Sequence, residues 1–201
     1  METEAVMQHL GLVCVSFIFT AIFGLLLGII GYNFKRTRFI ILWFVDILQT
    51  IPVLALLGII MIFFGATFRT VVIGIVLYSL LPVVRNTIVG LEQIDPAIRE
   101  AAIGMGMTKR QRLYKIEFPL AFPIIFTGLK ISVITSIGIA VFGAVVGGGG
   151  LGYTINRAIM IQDGNTLFKA TLALVLMSLA FDLIMGLIEK KLDYSKRRGS
   201  V

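Results

Sequence analysis

Few side chains in this sequence have the type and spacing that chemistry requires. The chain has one histidine, His9, and one cysteine, Cys14, and both lie in or beside the same apolar run. Covalent catalysis needs a nucleophile beside a base, and a metal ion needs several converging ligands. We therefore predict no catalytic residue and no metal site, and we expect His9 to lie at a membrane interface.

One glycine-rich segment has the formal spacing of a nucleotide-binding loop. Gly147, Gly149 and Gly152 match G-x-G-x-x-G, but no predicted strand precedes them and no suitably placed acidic residue follows. No segment matches G-x-x-x-x-G-K-[ST], the loop that cradles phosphates. We therefore expect no cofactor in this chain. We interpret the glycines as the end of a helix, which is either a plain turn or a hinge.

Four ionisable side chains interrupt the apolar runs: Asp46, Arg85, Lys130 and Asp182. A charge at the centre of a bilayer costs about 3 kcal/mol, so each of them needs a partner or water. Two acids and two bases at a similar depth can neutralise one another as a structural cluster. The alternative interpretation is that Asp46 lines a path and meets a cationic substrate.

The polar residues that follow Asp46 are further candidates for a path. Gln49 and Thr50 stand in the same apolar run, just before Pro52. A proline inside a helix removes a backbone hydrogen bond and bends the chain, which frees a carbonyl group for polar contact. We predict that Asp46, Gln49, Thr50 and Pro52 contribute to a substrate pathway.

The elements that must position these residues are membrane-spanning helices. Of the 201 residues, 58% are hydrophobic and 14% are charged, and the mean hydropathy is +0.98, which is typical of integral membrane proteins. A helix needs about 20 apolar residues to cross a bilayer. No repeat or linker divides residues 1–201, so we expect a single all-α domain. Its predicted spans are 8–32, 39–64, 70–91, 121–146 and 168–189.

The distribution of basic residues predicts the orientation of these spans. Of the 18 lysines and arginines, 13 fall in the loop 32–38, in the loop 92–121 or after residue 189, all on one predicted side. Basic residues concentrate in cytoplasmic loops, so we predict the N-terminus outside and the C-terminus in the cytoplasm. The net charge of +7 forms no basic face with interleaved aromatics. We expect a lipid bilayer as partner, and no nucleic acid.

The loop 92–121 is the longest polar stretch, and its local signals predict two short helices around a glycine turn. Asp95 is a good N-cap, and Pro96 suits the first helical position. Gly104 and Gly106 are expected to interrupt this first helix.

The second arm of the loop has its own boundary signals. Thr108 and Gln111 have the spacing of a capping box, which predicts a helix over 109–117. Pro119 is expected to end it, because a proline pushes the preceding residue toward extended geometry. A small Ala/Gly-rich surface flanked by charge suits docking in the groove of another protein. The alternative, a hairpin resting on lipid headgroups, is disfavoured by the acidic residues in the loop.

The loop also contains a longer pattern: Glu100-Ala101-Ala102, then three residues, Gly106, nine residues, and Ile116-Glu117-Phe118-Pro119. This pattern resembles the "EAA" loop of permease subunits of ATP-binding cassette importers, with Phe118 where leucine is usual. The resemblance implies a coupling helix that docks in a cleft of a cytoplasmic ATPase subunit. The implied docking surface is Glu100, Ala101, Ala102, Gly104 and Gly106.

Residues 46–52, 81–87 and 147–152 are also similar to the glycine betaine/carnitine/choline permeases. The resemblance implies the five-span, MetI-like architecture of type I importers in a bacterial or archaeal cell membrane. It implies uptake of osmoprotectants or related quaternary amines, with ATP and magnesium bound by the partner ATPase. A second permease subunit, identical or related, and an extracellular or periplasmic substrate-binding protein are the other implied partners.

Three alternatives stay open from the sequence. A permease of the same architecture could import methionine or another amino acid. A self-sufficient secondary transporter or channel is expected to carry an inverted repeat, which the sequence does not display. A membrane-embedded assembly factor would have no transport role.

Overall fold

A computed structural model describes residues 2–192 of the chain, and every regular element in that range is helical. The basic residues Lys196, Arg197 and Arg198, which enter the orientation prediction, lie outside the described residues. A π-helical turn, Leu113–Glu117, joins α6 to α7, and a 3-10 turn, Gly143–Val146, follows α7. The helices are α1 Glu2–Asn33, α2 Lys35–Thr50, α3 Val53–Phe64, α4 Phe68–Glu92, α5 Pro96–Gly104, α6 Lys109–Arg112, α7 Phe118–Phe142, α8 Gly150–Met160 and α9 Gly164–Leu192.

Four helical stretches within residues 2–192 are long and apolar enough to cross a membrane: Thr3–Asn33, Phe68–Glu92, Lys109–Val146 and Gly164–Leu192. They contain four of the five predicted spans. The predicted span 39–64 is instead two helices, α2 and α3, which are bent by 102°. The bend that the sequence predicts at Pro52 is therefore confirmed, and it is sharp enough to divide the predicted span into two helices.

The break between α2 and α3 follows from Pro52. This proline has no N–H to donate, and Ile51 before it is extended, with φ −74° and ψ 127°. Although α2 and α3 are bent relative to each other, together they extend from one end of the bundle to the other. Arg38, near the start of α2, forms an ion pair with Glu92 at the end of α4. Beyond α3, the Ala66 backbone packs against the glycine segment that follows α7.

Helix α4 lies at the centre of the bundle, and its contact with α1 depends on glycine. Gly24 and Gly28 of α1 face Val83 and Thr87, and a Cβ at Gly28 would lie 2.5 Å from the Cβ of Thr87. Small residues of this kind let helix backbones approach closely. These glycines therefore pack helices within one chain, whereas a Cβ at Gly138 would meet nothing within 4 Å.

The contact between α4 and α7 is equally close. A Cβ at Gly128 would lie 2.6 Å from the carbonyl oxygen of Pro82. The hydroxyls of Ser79 and Ser136, both fully buried, are 3.2 Å apart across the same interface. These two contacts fix the position of α7, which continues directly from the polar loop.

Helix α8 is absent from the sequence prediction. The backbone at Gly147, Gly149 and Gly150 has positive φ, so the glycines end one helix and begin the next. Helix α8 buries Leu151 and Ala158, seven residues apart on one face. The interpretation of the glycine segment as a simple helix end is therefore incomplete.

Candidate functional site

The polar loop folds into two short arms, which we call the hairpin, residues 95–117. Its first arm is α5, and the predicted start signals are confirmed. The carboxylate of Asp95 accepts a hydrogen bond of 2.8 Å from the backbone N–H of Ala97, and Pro96 occupies the first helical position. The N-terminal end of α5 is thereby fixed by a local cap.

The predicted glycine turn is also confirmed, and its geometry assigns different roles to the two glycines. Gly104 is the last residue of α5, whereas Gly106 has a left-handed backbone with φ 76°. The N–H of Met107 donates to the Ala102 carbonyl at 3.1 Å, and the N–H of Gly106 donates to the Ile103 carbonyl at 2.9 Å. This pair of bonds is a Schellman turn, which favours glycine at the left-handed position.

The second arm begins as predicted but does not end as predicted. Thr108 and Gln111 form the capping box: the hydroxyl of Thr108 accepts from the Gln111 N–H at 3.3 Å, and the Gln111 amide oxygen accepts from the Thr108 N–H at 2.9 Å. Phe118 is helical rather than extended, with φ −62° and ψ −45°. The expectation that Pro119 stops this helix is therefore wrong.

The π-helical turn explains how the chain remains helical across Pro119. A proline ring clashes with the carbonyl four residues earlier in a regular α-helix and offers no N–H to it. Here the N–H of Phe118 donates instead to the carbonyl of Leu113, five residues back, which widens the turn. The second arm consequently continues into α7 without a flexible joint.

The implied docking residues do not all lie on the surface. Glu100, Ala101, Gly104 and Gly106 are exposed, but only 1% of Ala102 is accessible. Ala102 therefore does not belong to the exposed face, and its implied docking role stays a prediction. Ala102 faces inward, and its carbonyl accepts one of the turn bonds. The exposed face of the hairpin instead adds three large apolar side chains, Ile98, Ile103 and Met105.

Two arginines and one carboxylate that sequence reasoning left unassigned lie under this exposed face. The side chain of Glu117 is 1% accessible and accepts a hydrogen bond of 2.8 Å from Nε of Arg112. Nε of Arg99 lies 3.6 Å from the same oxygen, Oε1. Residues 112 and 117 are five apart, which is not a spacing that pairs side chains on an α-helix. Only the π-helical turn brings them together, and the sequence carried no clear signal for it.

Three of the predicted pathway residues form polar contacts within the chain. Asp46 Oδ1 accepts from Nη2 of Arg85 at 2.7 Å, and both side chains are about half exposed. The Gln49 amide donates to the Tyr78 carbonyl at 3.0 Å, and the Tyr78 hydroxyl donates to the Gln49 carbonyl at 3.4 Å. The predicted freed carbonyl beside Pro52 is therefore present, and α4 uses it. The Thr50 hydroxyl donates within its own helix.

The second pair of charges within the apolar runs is Lys130 and Asp182, at 2.8 Å between α7 and α9. Mutual neutralisation of the four charges is thus confirmed, although as two separate pairs rather than one cluster. The Asp46–Arg85 pair lies beside the break in the predicted second span, and its exposure leaves it open to water or to a neighbouring chain.

The end of the bundle opposite the hairpin contains a cavity of about 400 Å³. Polar and charged side chains contribute to its lining, among them Glu4, Gln8 and Arg157. His9 lies beside it but is fully buried, with Nε2 bonded to the Ile137 carbonyl at 3.1 Å. The close approach of α1 to α7 encloses the ring, and the position of His9 at a membrane interface stays a prediction.

Comparison with known proteins agrees with this geometry. Residues 20–194 match the family model described as "Binding-protein-dependent transport system inner membrane component". The chain is 38% identical to the glycine betaine/carnitine/choline transport system permease protein OpuCD of Bacillus subtilis, over 90% of this chain and 80% of that protein. It is 36% identical to the osmoprotectant import permease protein OsmW of Salmonella typhimurium, over 89% of this chain and 85% of that protein.

A solved structure has the same fold. An inward-facing conformation of the MetNI methionine ABC transporter superposes with a TM-score of 0.83, over 96% of this chain and 96% of that chain. The sequence identity in that match is 23%, so the likeness concerns the fold alone.

Proposed function

The chain belongs to the family of binding-protein-dependent transport system inner membrane components, and we propose that it is the permease subunit of an ATP-driven importer of osmoprotectants. Relatives at 35–38% identity are named for glycine betaine, carnitine and choline, which supports solutes with a quaternary nitrogen. The methionine transporter supports the architecture only, because its identity is 23%. An amino-acid substrate is therefore the weaker candidate.

The observation that carries this proposal is the hairpin. It presents an exposed face that is part apolar and part acidic, and its second arm continues into α7 through a helical turn. A surface of this kind suits a groove on a soluble partner, because apolar side chains supply contact area and Glu100 supplies specificity. We assign the ATPase subunit as that partner, with Glu100, Ala101, Gly104 and Gly106 in the contact.

We further propose five membrane crossings, with α2 and α3 together forming the second. The N-terminus then lies outside, and the hairpin and the C-terminus lie in the cytoplasm, as the positive-inside rule predicts. In this orientation the cavity that Glu4 and Arg157 help to line opens to the exterior. It lies where a substrate-binding protein would deliver its solute.

In the proposed cycle, two permease subunits enclose the path and two ATPase subunits hold their hairpins. ATP binding draws the hairpins together and opens the path outward, and hydrolysis reverses the change. The chain itself performs no chemistry. A bound partner shifts an equilibrium only by the difference in its affinity for the two states. The ATPase must therefore bind the hairpin with different affinity in the outward-open and the inward-open state. The Asp46–Arg85 pair, Gln49, Thr50 and Pro52 are proposed to border the path.

The docking assignment is tested with one matched pair of substitutions. Glu100→Trp places a large side chain on the exposed face, whereas Glu4→Trp makes the same change at the opposite end of the bundle. Because Glu4 helps to line the cavity there, Glu4→Trp is a control for co-purification of the ATPase only and not for uptake. Glu100→Trp is expected to abolish co-purification of the ATPase and solute uptake while leaving the amount of protein in the membrane unchanged. Retained co-purification and uptake in Glu100→Trp would show that the ATPase docks elsewhere.

The substrate is tested by uptake into proteoliposomes that contain the complete importer. Labelled glycine betaine, carnitine and choline are compared with methionine, each supplied with the cognate binding protein. The proposal predicts ATP-dependent uptake of at least one quaternary amine and none of methionine. The opposite pattern would assign the chain to amino-acid import.

A further inference from the structure

Glu117 is a carboxylate buried in apolar surroundings at the base of the hairpin. Its side chain is 1% accessible, and it lies in the π-helical turn beside a cluster that joins α1, α4 and α7. The buried members of that cluster are Leu91, Ile94, Leu113, Ala121 and Ile125. A buried charge is strongly destabilising when it has no partner, so Glu117 depends on the side chains that face it: Arg99, Arg112 and Tyr32, which hydrogen-bonds to it.

The two arginines have different roles. Arg112 lies in α6, one residue before the π-helical turn, so its 2.8 Å bond to Glu117 is local. Arg99 comes from the other arm, α5, and makes the only ion pair to Glu117 from outside the second arm among the described residues. Arg112 therefore stabilises the turn itself, whereas Arg99 connects α5 to it.

Arg99 also reaches two of the long helices. Its Nη2 donates to the carbonyl of Leu91 near the end of α4 at 2.5 Å. Its guanidinium carbon lies 5.8 Å from the ring centroid of Tyr32 in α1, which is cation–π distance. A single side chain of α5 thus contacts α1, α4 and the start of the helix that becomes α7.

Little else holds α5 to the bundle. Ala102 is the one residue of α5 that is buried, and the side chain of an alanine supplies little apolar area. A force applied to the exposed face of α5 therefore needs a polar connection to reach the long helices. The Arg99 contacts are positioned to make that connection.

We propose that Arg99 is a positioning residue that couples movement of the docked hairpin to the membrane helices. The inference rests on the proposed function, in which an ATPase subunit holds α5. Arg99 anchors α5 to Glu117 and to Leu91, so that ATPase movement displaces α4 and α7 together. Without this anchor, α5 moves with the ATPase while the long helices remain in place, and ATP hydrolysis no longer drives transport.

The test measures solute transported per ATP hydrolysed by the complete importer in proteoliposomes. Arg99→Gln removes the anchor. Arg110→Gln removes the same charge from an exposed position of the hairpin, where the guanidinium contacts the Tyr114 ring of its own arm. We expect Arg99→Gln to lower the transport-to-hydrolysis ratio at least fivefold with the ATPase still bound, and Arg110→Gln to keep the ratio within twofold.

A purely structural role for Arg99 gives a different result. Fewer complexes would then assemble, transport and hydrolysis would fall in proportion, and their ratio would stay at the wild-type value. That result, or an unchanged Arg99→Gln importer, overturns the inference. If Arg99→Gln does not accumulate, Arg99→Lys is measured by the same ratio, because it keeps the charge but has one nitrogen for three acceptors, the Leu91 and Glu92 carbonyls and Glu117. A ratio equal to wild type again overturns the inference. A wild-type importer without ATP-driven transport refutes the proposed function instead.

Discussion

The turn at Gly106 allows a quantitative test of why the hairpin needs glycine. Its φ of 76° is left-handed, and a Cβ there would meet nothing within 4 Å. Gly106→Ala is therefore penalised by backbone conformation and not by a clash. Placing an L-residue with a Cβ in this conformation costs about 1–2 kcal/mol. That cost corresponds to about a 5- to 30-fold change in the equilibrium for opening the turn.

Amide hydrogen exchange measures this change directly. The N–H of Met107 closes the turn by donating to the Ala102 carbonyl, so its exchange reports opening. We expect about 5- to 30-fold faster exchange at Met107 in Gly106→Ala. Gly104→Ala is the matched control, because Gly104 lies in α5 and a Cβ there also meets nothing within 4 Å. Alanine is the better helix former, so Gly104→Ala should not accelerate exchange.

Gly106→Asn tests whether the effect of a substitution at Gly106 comes from the backbone conformation or from the size of the side chain. Asparagine is larger than alanine but adopts left-handed geometry more readily. The conformational explanation predicts slower exchange in Gly106→Asn than in Gly106→Ala, and a correspondingly stronger attachment of the ATPase. Exchange in Gly106→Asn that is as fast as in Gly106→Ala, or faster, would refute the explanation and show that side-chain size matters at this turn.

Two further predictions concern the membrane bundle. Gly128→Ala should destabilise the protein by about 1–3 kcal/mol, because a Cβ there would lie 2.6 Å from the Pro82 carbonyl oxygen. Gly138→Ala, in open space on the same helix, should not lower the thermal unfolding midpoint, and equal midpoints for the two variants would contradict the packing. Asp46→Ala should lower the amount of protein in the membrane, because it leaves Arg85 unpaired, and the double variant Asp46→Ala/Arg85→Ala should restore that amount. A double variant that accumulates no better than Asp46→Ala would refute the pairing.

The features that the sequence predicted are those encoded by neighbouring residues. Apolar length predicted five spans, four of which are long helices in the structure. Asp95, Pro96, Gly104 and Gly106 predicted the boundaries of α5. The capping box at Thr108 and Gln111 was equally local and was confirmed. Caps and left-handed turns depend on a few consecutive residues, so one sequence suffices to identify them.

The features that the sequence did not predict depend on contacts between distant segments. The presence of a proline does not by itself show that the helix breaks at Pro52 but continues through a π-helical turn at Pro119. The inward orientation of Ala102 and the burial of Glu117 both depend on how the hairpin packs on the ends of α1 and α4. Arg99 was therefore counted as one more cytoplasmic charge, although three elements meet at its side chain.

In the proposed cycle a separate ATPase moves these helices through the hairpin, and uptake by the reconstituted importer measures whether it does. Proteoliposomes with the permease, the binding protein and internal ATP are compared with and without the ATPase subunit. We expect accumulation of a quaternary amine only when the ATPase is present, and loss of that accumulation in Glu100→Trp. Equal accumulation without the ATPase would refute the proposed coupling.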